Sequence, residues 1–356
     1  MLTFTALAAL ALFCTYCELY NQDLVEEVGT RIIVGLQGQG SYWLDLVFEV
    51  LGEVTGAMFL VASGGLYLCG FEEIGFLGSC SGFFGAALSG TAKMLILHPR
   101  PFLKVGEIRN FTCPADWGAP SGHAFSAGAG MFVLGYFWLE QRSNTLGKAL
   151  FLTACSVIIA VDRVYLGVHY PFQVVLGYSY AALIGLYFTR SSLRSQYRSL
   201  RTSNSLILSE HLKISVYVLF NIYLYNTQSV QIPLEWKTNY LEKCGKDFTL
   251  EGSLTKNLTE SFYTIIIAGF LLGYYLNGPG EKAHKSYQGF FVGSAVCVGL
   301  IVYILLIDKL CLKFLPTSLK FLILGANRYF SGFLIGYVGP KLVNRILNSL
   351  SRIKKE

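Results

Sequence analysis

Apolar runs of spanning length recur along the chain, separated by short polar and basic stretches. Nine read as membrane helices, at roughly 44–68, 75–97, 122–139, 146–162, 171–189, 212–226, 261–277, 288–307 and 317–338. A helix needs about 20 apolar residues to cross about 30 Å of hydrocarbon, so the shorter runs set only approximate boundaries. Small residues recur in the early spans (Ala57, Gly64, Gly65, Gly82, Gly85, Gly90), which lets membrane helices approach closely. Residues 2–17 are apolar but lack a basic start, so they read either as a signal peptide or as a packed or interfacial helix. From about Glu18 to Ser41 the chain is polar and mildly amphipathic. The expected fold is an all-α, polytopic membrane helical bundle. Its parts are an N-terminal segment (1–43), a core (44–190) and C-terminal membrane helices (191–356).

Composition agrees. Of 356 residues, 53% are hydrophobic and 14% charged, where soluble domains carry about 25% charged residues. The net charge of +6 is spread over loops, which fits cytoplasmic loops and not nucleic-acid binding. Arg190, Arg194, Arg198 and Arg201 crowd the 190–211 loop. Lys282 and Lys285 mark the 278–287 loop, and Arg345, Arg352, Lys354 and Lys355 the C-terminal tail. The positive-inside rule makes all three cytoplasmic, and nine spans place them on one side. The other side then holds the N-terminus, the 98–121 loop, Arg163 to His169 and the 227–260 loop. Both N-glycosylation sequons, Asn110-Phe-Thr112 and Asn257-Leu-Thr259, fall on that second side. The nine cysteines show no metal-ligand spacing; Cys69, Cys80, Cys155 and Cys297 read as small core residues. Cys14-Thr-Tyr-Cys17 has redox-motif spacing without a strand context.

Three polar clusters interrupt the apolar helices. They are Lys93 through Arg100-Pro101, then Pro120-Ser121-Gly122-His123, then Arg163 through His169 with Gln173 one turn on. Two arginines can grip phosphoryl oxygens in bidentate fashion, and a lysine adds a compact charge. Backbone N–H groups of the Ser121-Gly122-His123 turn, opening a helix, form an anion cradle. One histidine can attack phosphorus while the other protonates the leaving oxygen. No Asp or Glu lies within the clusters, so the site reads as metal-free and without a cofactor. His98 occupies no such position and reads as neighbouring structure; His211 and His284, in basic polar loops, read as structural.

These clusters resemble the signature of the type 2 phosphatidic acid phosphatase (PAP2) superfamily. That signature is Lys, six residues, Arg-Pro; Pro-Ser-Gly-His; and Ser-Arg, five residues, His, three residues, Asp. Asp162 stands here in place of the Ser, and Gln173 in place of the Asp. The resemblance implies a PAP2-type helical core. It also implies an acid role for His123, a phosphohistidine at His169, and substrate contacts from Lys93, Arg100, Ser121, Gly122 and Arg163. Gln173 would either orient the His169 ring through its amide oxygen or only cap the helix while another group, such as a backbone carbonyl, orients His169. In the first case Gln173→Leu is expected to cost activity and Gln173→Glu to keep or raise it.

Within the superfamily the chain looks most like the glucose-6-phosphatase branch. His169-Tyr-Pro-Phe-Gln173-Val-Val matches a His-aromatic-Pro-X-Gln-Val-Val pattern of that branch. A sequon between the first two motifs (Asn110), Thr112-Cys113 before the Pro-Ser-Gly-His turn, and Leu241-Glu-Lys-Cys244 in the second-side loop are similar as well. The resemblance implies a phosphate monoesterase; the loop charges and sequons turn its site to the lumen or the exterior, and the assignment to the endoplasmic reticulum rests on the tail alone. The tail Arg352-Ile-Lys354-Lys355-Glu356 resembles a dilysine-type retrieval signal. A lipid-phosphate phosphatase acting on a sphingoid phosphate or phosphatidate shares the same motifs. A non-catalytic transporter or scaffold would be expected to lose a catalytic position, and none is lost. A vanadium haloperoxidase would be soluble. The expected partners are a phosphorylated small molecule or lipid and the membrane itself. The sequence leaves open the substrate, the oligomeric state, and endoplasmic reticulum versus plasma membrane.

Overall fold

The computed structural model describes residues 2–140, 144–278 and 286–353. The first helices are α1 (Leu2–Tyr20), α2 (Gln22–Gly38), α3 (Tyr42–Thr55), α4 (Met58–Leu68), α5 (Glu72–Ile96) and α6 (Pro101–Lys104). Then come α7 (Gly122–Glu140), α8 (Thr145–Tyr165), α9 (Pro171–Phe188), α10 (Ser191–Ser199), α11 (Asn204–Thr227) and α12 (Leu234–Cys244). The last are α13 (Leu250–Ser261), α14 (Tyr263–Asn277), α15 (Tyr287–Phe314), α16 (Thr317–Phe333) and α17 (Gly339–Ile353), with a π-helical turn at Leu334–Val338. Among the described residues every regular element is helical.

Seven helical stretches are long and apolar enough to cross a membrane, and the α3–α4 pair, bent by 40°, makes an eighth candidate. The expected 44–68 span is that bent pair. The expected spans at 261–277 and 317–338 lie within longer stretches, Leu250–Asn277 and Leu319–Arg352. The run at 122–139 is α7, which is not among those seven stretches. It is enclosed by α5, α9 and α8, so its surroundings are protein on most sides. A count of nine requires α7 as the ninth.

Polar side chains start several helices. Ser286 caps α15 by accepting from the Gly289 N–H at 3.0 Å, and Thr249 caps α13 from Gly252 at 3.0 Å. The axis of the bundle is α5, packed against α4, α7 and α13. Its 25 residues rise about 37 Å. At its start Glu72 and Glu73 pair with the basic segment: Arg194 Nε lies 2.6 Å from Glu73, Arg198 3.2 Å from Glu73, and Arg201 2.8 Å from Glu72. At its end stands Lys93. The 190–211 arginines and the polar motifs therefore occupy opposite ends of one helix. Lys282, Lys285, Lys354 and Lys355 lie outside the described residues, as does most of the retrieval-like tail.

The Lys93 end is covered by coil and short helices. A disulfide joins Cys113 to Cys244, tying the 105–121 coil to α12. Beside it the Lys243 ammonium donates to the carbonyls of Phe102, Val105 and Ile108 at 3.0, 2.9 and 3.0 Å. Trp117 is fully buried, edge-on to Trp236 and Phe248. No pairing of Cys113 with Cys244 is expected from the sequence alone, since 131 positions separate them.

The apolar N-terminal run is helical as α1. α1 lies along α9, with Cys14 and Cys17 buried and the Thr15 and Tyr180 hydroxyls 2.6 Å apart. One sequon needs correction. Asn257 is fully buried in α13, facing α5, and a glycan there would prevent that packing. Asn110 stays partly exposed in the coil beside the disulfide.

Candidate active site

The three motifs converge because each stands at a helix end on the same side of the bundle. Lys93 is in the last turn of α5, and Arg100 is the extended residue before Pro101 opens α6. Ser121 precedes α7, and Gly122 and His123 are its first residues. Arg163 ends α8, and His169 precedes the Tyr170-Pro171 start of α9. The turn between α8 and α9 requires Gly167: its φ is +69°, and a Cβ would strike the Arg109 carbonyl.

Lys93, Arg100, Gly122, His123, Arg163 and His169 line one cavity of about 570 Å³. Ser121 and Gln173 stand behind its wall, both fully buried. The bent α3–α4 pair closes the site above: a methyl group at Gly52 would strike the Arg163 guanidinium, and one at Gly56 would lie 2.7 Å from His123 Nε2.

His169 is buried, and the hydrogen-bond network sets its tautomer. Nδ1 lies 2.8 Å from the Gly118 carbonyl, to which it donates, which leaves Nε2 as the lone pair. Arg100 NH1 donates to that Nε2 at 3.1 Å. Burial, then the charges of Arg100, Lys93 and Arg163, push this histidine well below its ordinary value, so it is neutral at neutral pH. The orienting contact differs from the sequence expectation. Gln173 Oε1 is 3.4 Å from Nδ1, and it also accepts from the Tyr170 N–H at 3.2 Å. The amide instead holds the surroundings: Nε2 donates to the Pro99 carbonyl at 3.1 Å, and a Cβ on Gly118 would sit 2.7 Å from Oε1. Gln173 therefore buttresses the Gly118 carbonyl, which is the closer acceptor.

The anion cradle is also revised. The Ser121 N–H donates to the Gln173 carbonyl at 2.9 Å, so the turn offers the N–H groups of Gly122 and His123 instead. The Ser121 hydroxyl is buried without a hydrogen-bond partner among the described residues, as is that of Ser89, one turn before Lys93.

The fold brings in carboxylates that the motifs lack. Asp116 bonds the Lys93 ammonium through Oδ2 and the Arg100 NH2 through Oδ1, the latter at 2.9 Å. Glu260 of α13 lies 3.0 Å from Lys93. Asp162 accepts from Arg163 Nε at 2.7 Å. Burial alone would raise the Asp116 carboxyl, yet Arg100 and Lys93 hold it well below the usual carboxylate range. Each carboxylate is matched to a cation. Among the described residues no three His, Cys, Asp or Glu side chains converge as a metal-binding set.

Asp116 carried a weak signal in the sequence, an acid in a Pro/Gly-rich coil close before the second motif. Glu260 carried none, being 167 positions from Lys93. Nor did Gly118, whose role is a carbonyl. His98 is structural as expected. It is buried between Glu18 and Glu26, whose Oε1 is 3.1 Å from Nε2, and so fixes α1 and α2 to the core.

Residues 77–197 match the family model described as the PAP2 superfamily. That stretch contains all three motifs and supports a phosphatase-type function. Neither the comparison with curated proteins nor that with solved structures returned a match.

Proposed function

We propose that this chain is an integral-membrane phosphatase that hydrolyses a phosphate monoester through a phosphohistidine. The observation that carries the reading is the convergence of two histidines and three cations on one cavity. His169 Nε2 attacks phosphorus as the ester P–O bond breaks, and His123 delivers a proton to the leaving alkoxide. His123 then takes a proton from water, whose oxygen attacks the phosphohistidine and releases phosphate and free His169. Lys93, Arg100, Arg163 and the Gly122 and His123 N–H groups stabilise the equatorial oxygens. No step calls for a metal or cofactor.

The cavity's further lining supports a small hydroxyl-bearing leaving group. Glu53, Ser89, Thr112, Asp116, Ser126, Lys256 and Glu260 face it, beside Ala86, Pro114, Ala115, Val168 and Tyr263. Hydroxyls can bond such groups, whereas an acyl chain would strip them of water without return. A sugar phosphate, as in the glucose-6-phosphatase branch, fits this lining better than a lipid phosphate. Three features support a lumenal site in the endoplasmic reticulum. The Cys113–Cys244 disulfide belongs in an oxidising compartment. The basic 190–211 segment lies at the opposite end of α5. The tail resembles a retrieval signal. On this reading Asn110 carries a glycan.

The test is phosphate release by purified protein from sugar phosphates and lipid phosphates side by side. Faster turnover of a sugar phosphate is the expected result. Preference for phosphatidate or a sphingoid phosphate would move the chain to the lipid branch, and release from neither would overturn the reading.

A further inference from the structure

Every cation around His169 already has a carboxylate. Lys93, Arg100 and Arg163 face Asp116, Glu260 and Asp162, and Lys256 and Glu53 also line the cavity, with Lys256 4.0 Å from Glu260. Asp116 bridges the two motif cations, one carboxylate oxygen on Lys93 and the other on Arg100, whereas Glu260 spans Lys93 at 3.0 Å and Lys256 at 4.0 Å. Two oxygens of a phosphoryl group would bind Lys93 and Arg100 in the same manner. The remaining Arg100 donors are largely committed, Nε to the Asp116 carbonyl at 2.9 Å and NH1 to the Val168 carbonyl at 2.8 Å and to His169. The NH2 bond to Asp116 is therefore the one a phosphate oxygen must take over.

The Asp116 backbone is pinned on both sides, by the Cys113 disulfide before it and by buried Trp117 after it. Displacing its carboxylate from Lys93 and Arg100 would then call for a side-chain rotation alone. Taking the phosphatase reading as given, we propose that Asp116 is a built-in competitor for the phosphate seat. Between turnovers its carboxylate neutralises Lys93 and Arg100, and its charge keeps affinity for free phosphate low, so that product leaves. Without it, a dianion would meet the Lys93 ammonium and the Arg100 guanidinium with one opposing charge fewer. The role is one of setting charge: Asp116 acts on the substrate through Lys93 and Arg100.

The experiment uses full-length protein in detergent, with inorganic phosphate and orthovanadate as probes and p-nitrophenyl phosphate as reporter substrate. Asp116→Asn keeps the shape and removes the charge; Asp116→Glu restores it. A like charge within about 4–6 Å shifts binding of a charge by about tenfold or more. Asp116→Asn is expected to lower Ki for phosphate and vanadate by about tenfold or more, with KM and kcat both falling as release slows. Asp116→Glu should return Ki toward wild type. Weaker or unchanged Ki in Asp116→Asn would mean that Asp116 only holds Arg100 in place, and the proposal would fail while the phosphatase reading stands. Wild type that binds neither probe would overturn that reading itself. If Asp116→Asn does not fold, as judged by thermal stability, Asp116→Ser carries the same readout.

Discussion

A neutral imidazole has one donor and one lone pair, and at His169 both are assigned. Nδ1–H goes to the Gly118 carbonyl and Nε2 faces the cavity cations. The sequence points to Gln173 as the orienting partner because an acceptor stands four residues after the nucleophile. A backbone carbonyl has no sequence signature, so Gly118 is legible only in the fold. The difference changes what Gln173→Glu should do. Its second carboxylate oxygen would face the Pro99 carbonyl, which the Gln173 amide now bonds at 3.1 Å. Two acceptors in contact cannot be satisfied, and an unsatisfied buried polar group costs about 1–3 kcal/mol. Gln173→Glu should therefore slow phosphoenzyme formation about tenfold or more rather than preserve it. Gly118→Ala should slow it as well, since the added methyl group would sit 2.7 Å from Gln173 Oε1 and the Pro99 carbonyl. Rapid-quench phosphorylation rates check both. A wild-type rate in Gly118→Ala would remove the Gly118 carbonyl from the account.

At the scale of elements, the helices were legible and the coil over the site was not. Apolar runs and turn residues mark α5, α8, α9 and α15 because a helix crossing hydrocarbon must be apolar over many consecutive residues. The 105–121 coil has no such run. What orders it is remote: Cys113 to Cys244, Lys243 to three carbonyls, and Trp117 to Phe248. Asp116 sits on that coil, so the staple bears on the site. Cys113→Ser should lower the temperature of thermal inactivation and reduce activity at moderate temperature. Losing such a cross-link typically costs about 2–5 kcal/mol in small domains. Activity remaining after a heating series checks this, and an unchanged inactivation curve would show that the coil is held without the disulfide. Asn257 teaches the same lesson from the other side. Its sequon is a local pattern, but the tertiary contact of α13 with α5 buries it.

The whole molecule has two distinct ends. Glu72 and Glu73 gather the 194–201 arginines at one, and the cavity, the disulfide and Asn110 occupy the other. Loop charge alone gave this division, because arginines near helix ends report sidedness without any tertiary information. The exact number of crossings was less legible, since α7 lies among α5, α8 and α9 and is not among the seven stretches long and apolar enough to cross a membrane. Protease added to sealed microsomes should cut near Arg194 and spare the Asn110 coil. Cleavage of that coil in intact vesicles would reverse the orientation.

The central claim is a phosphohistidine formed at His169 without a metal. The most direct measurement is acid–base analysis of enzyme trapped with ³²P-labelled substrate in the presence of EDTA. Label that is acid-labile and base-stable in wild type, absent in His169→Ala and still formed in His123→Ala with a substrate bearing a good leaving group is the predicted result. Label that persists in His169→Ala, or that forms only when Mg²⁺ is restored, would contradict it.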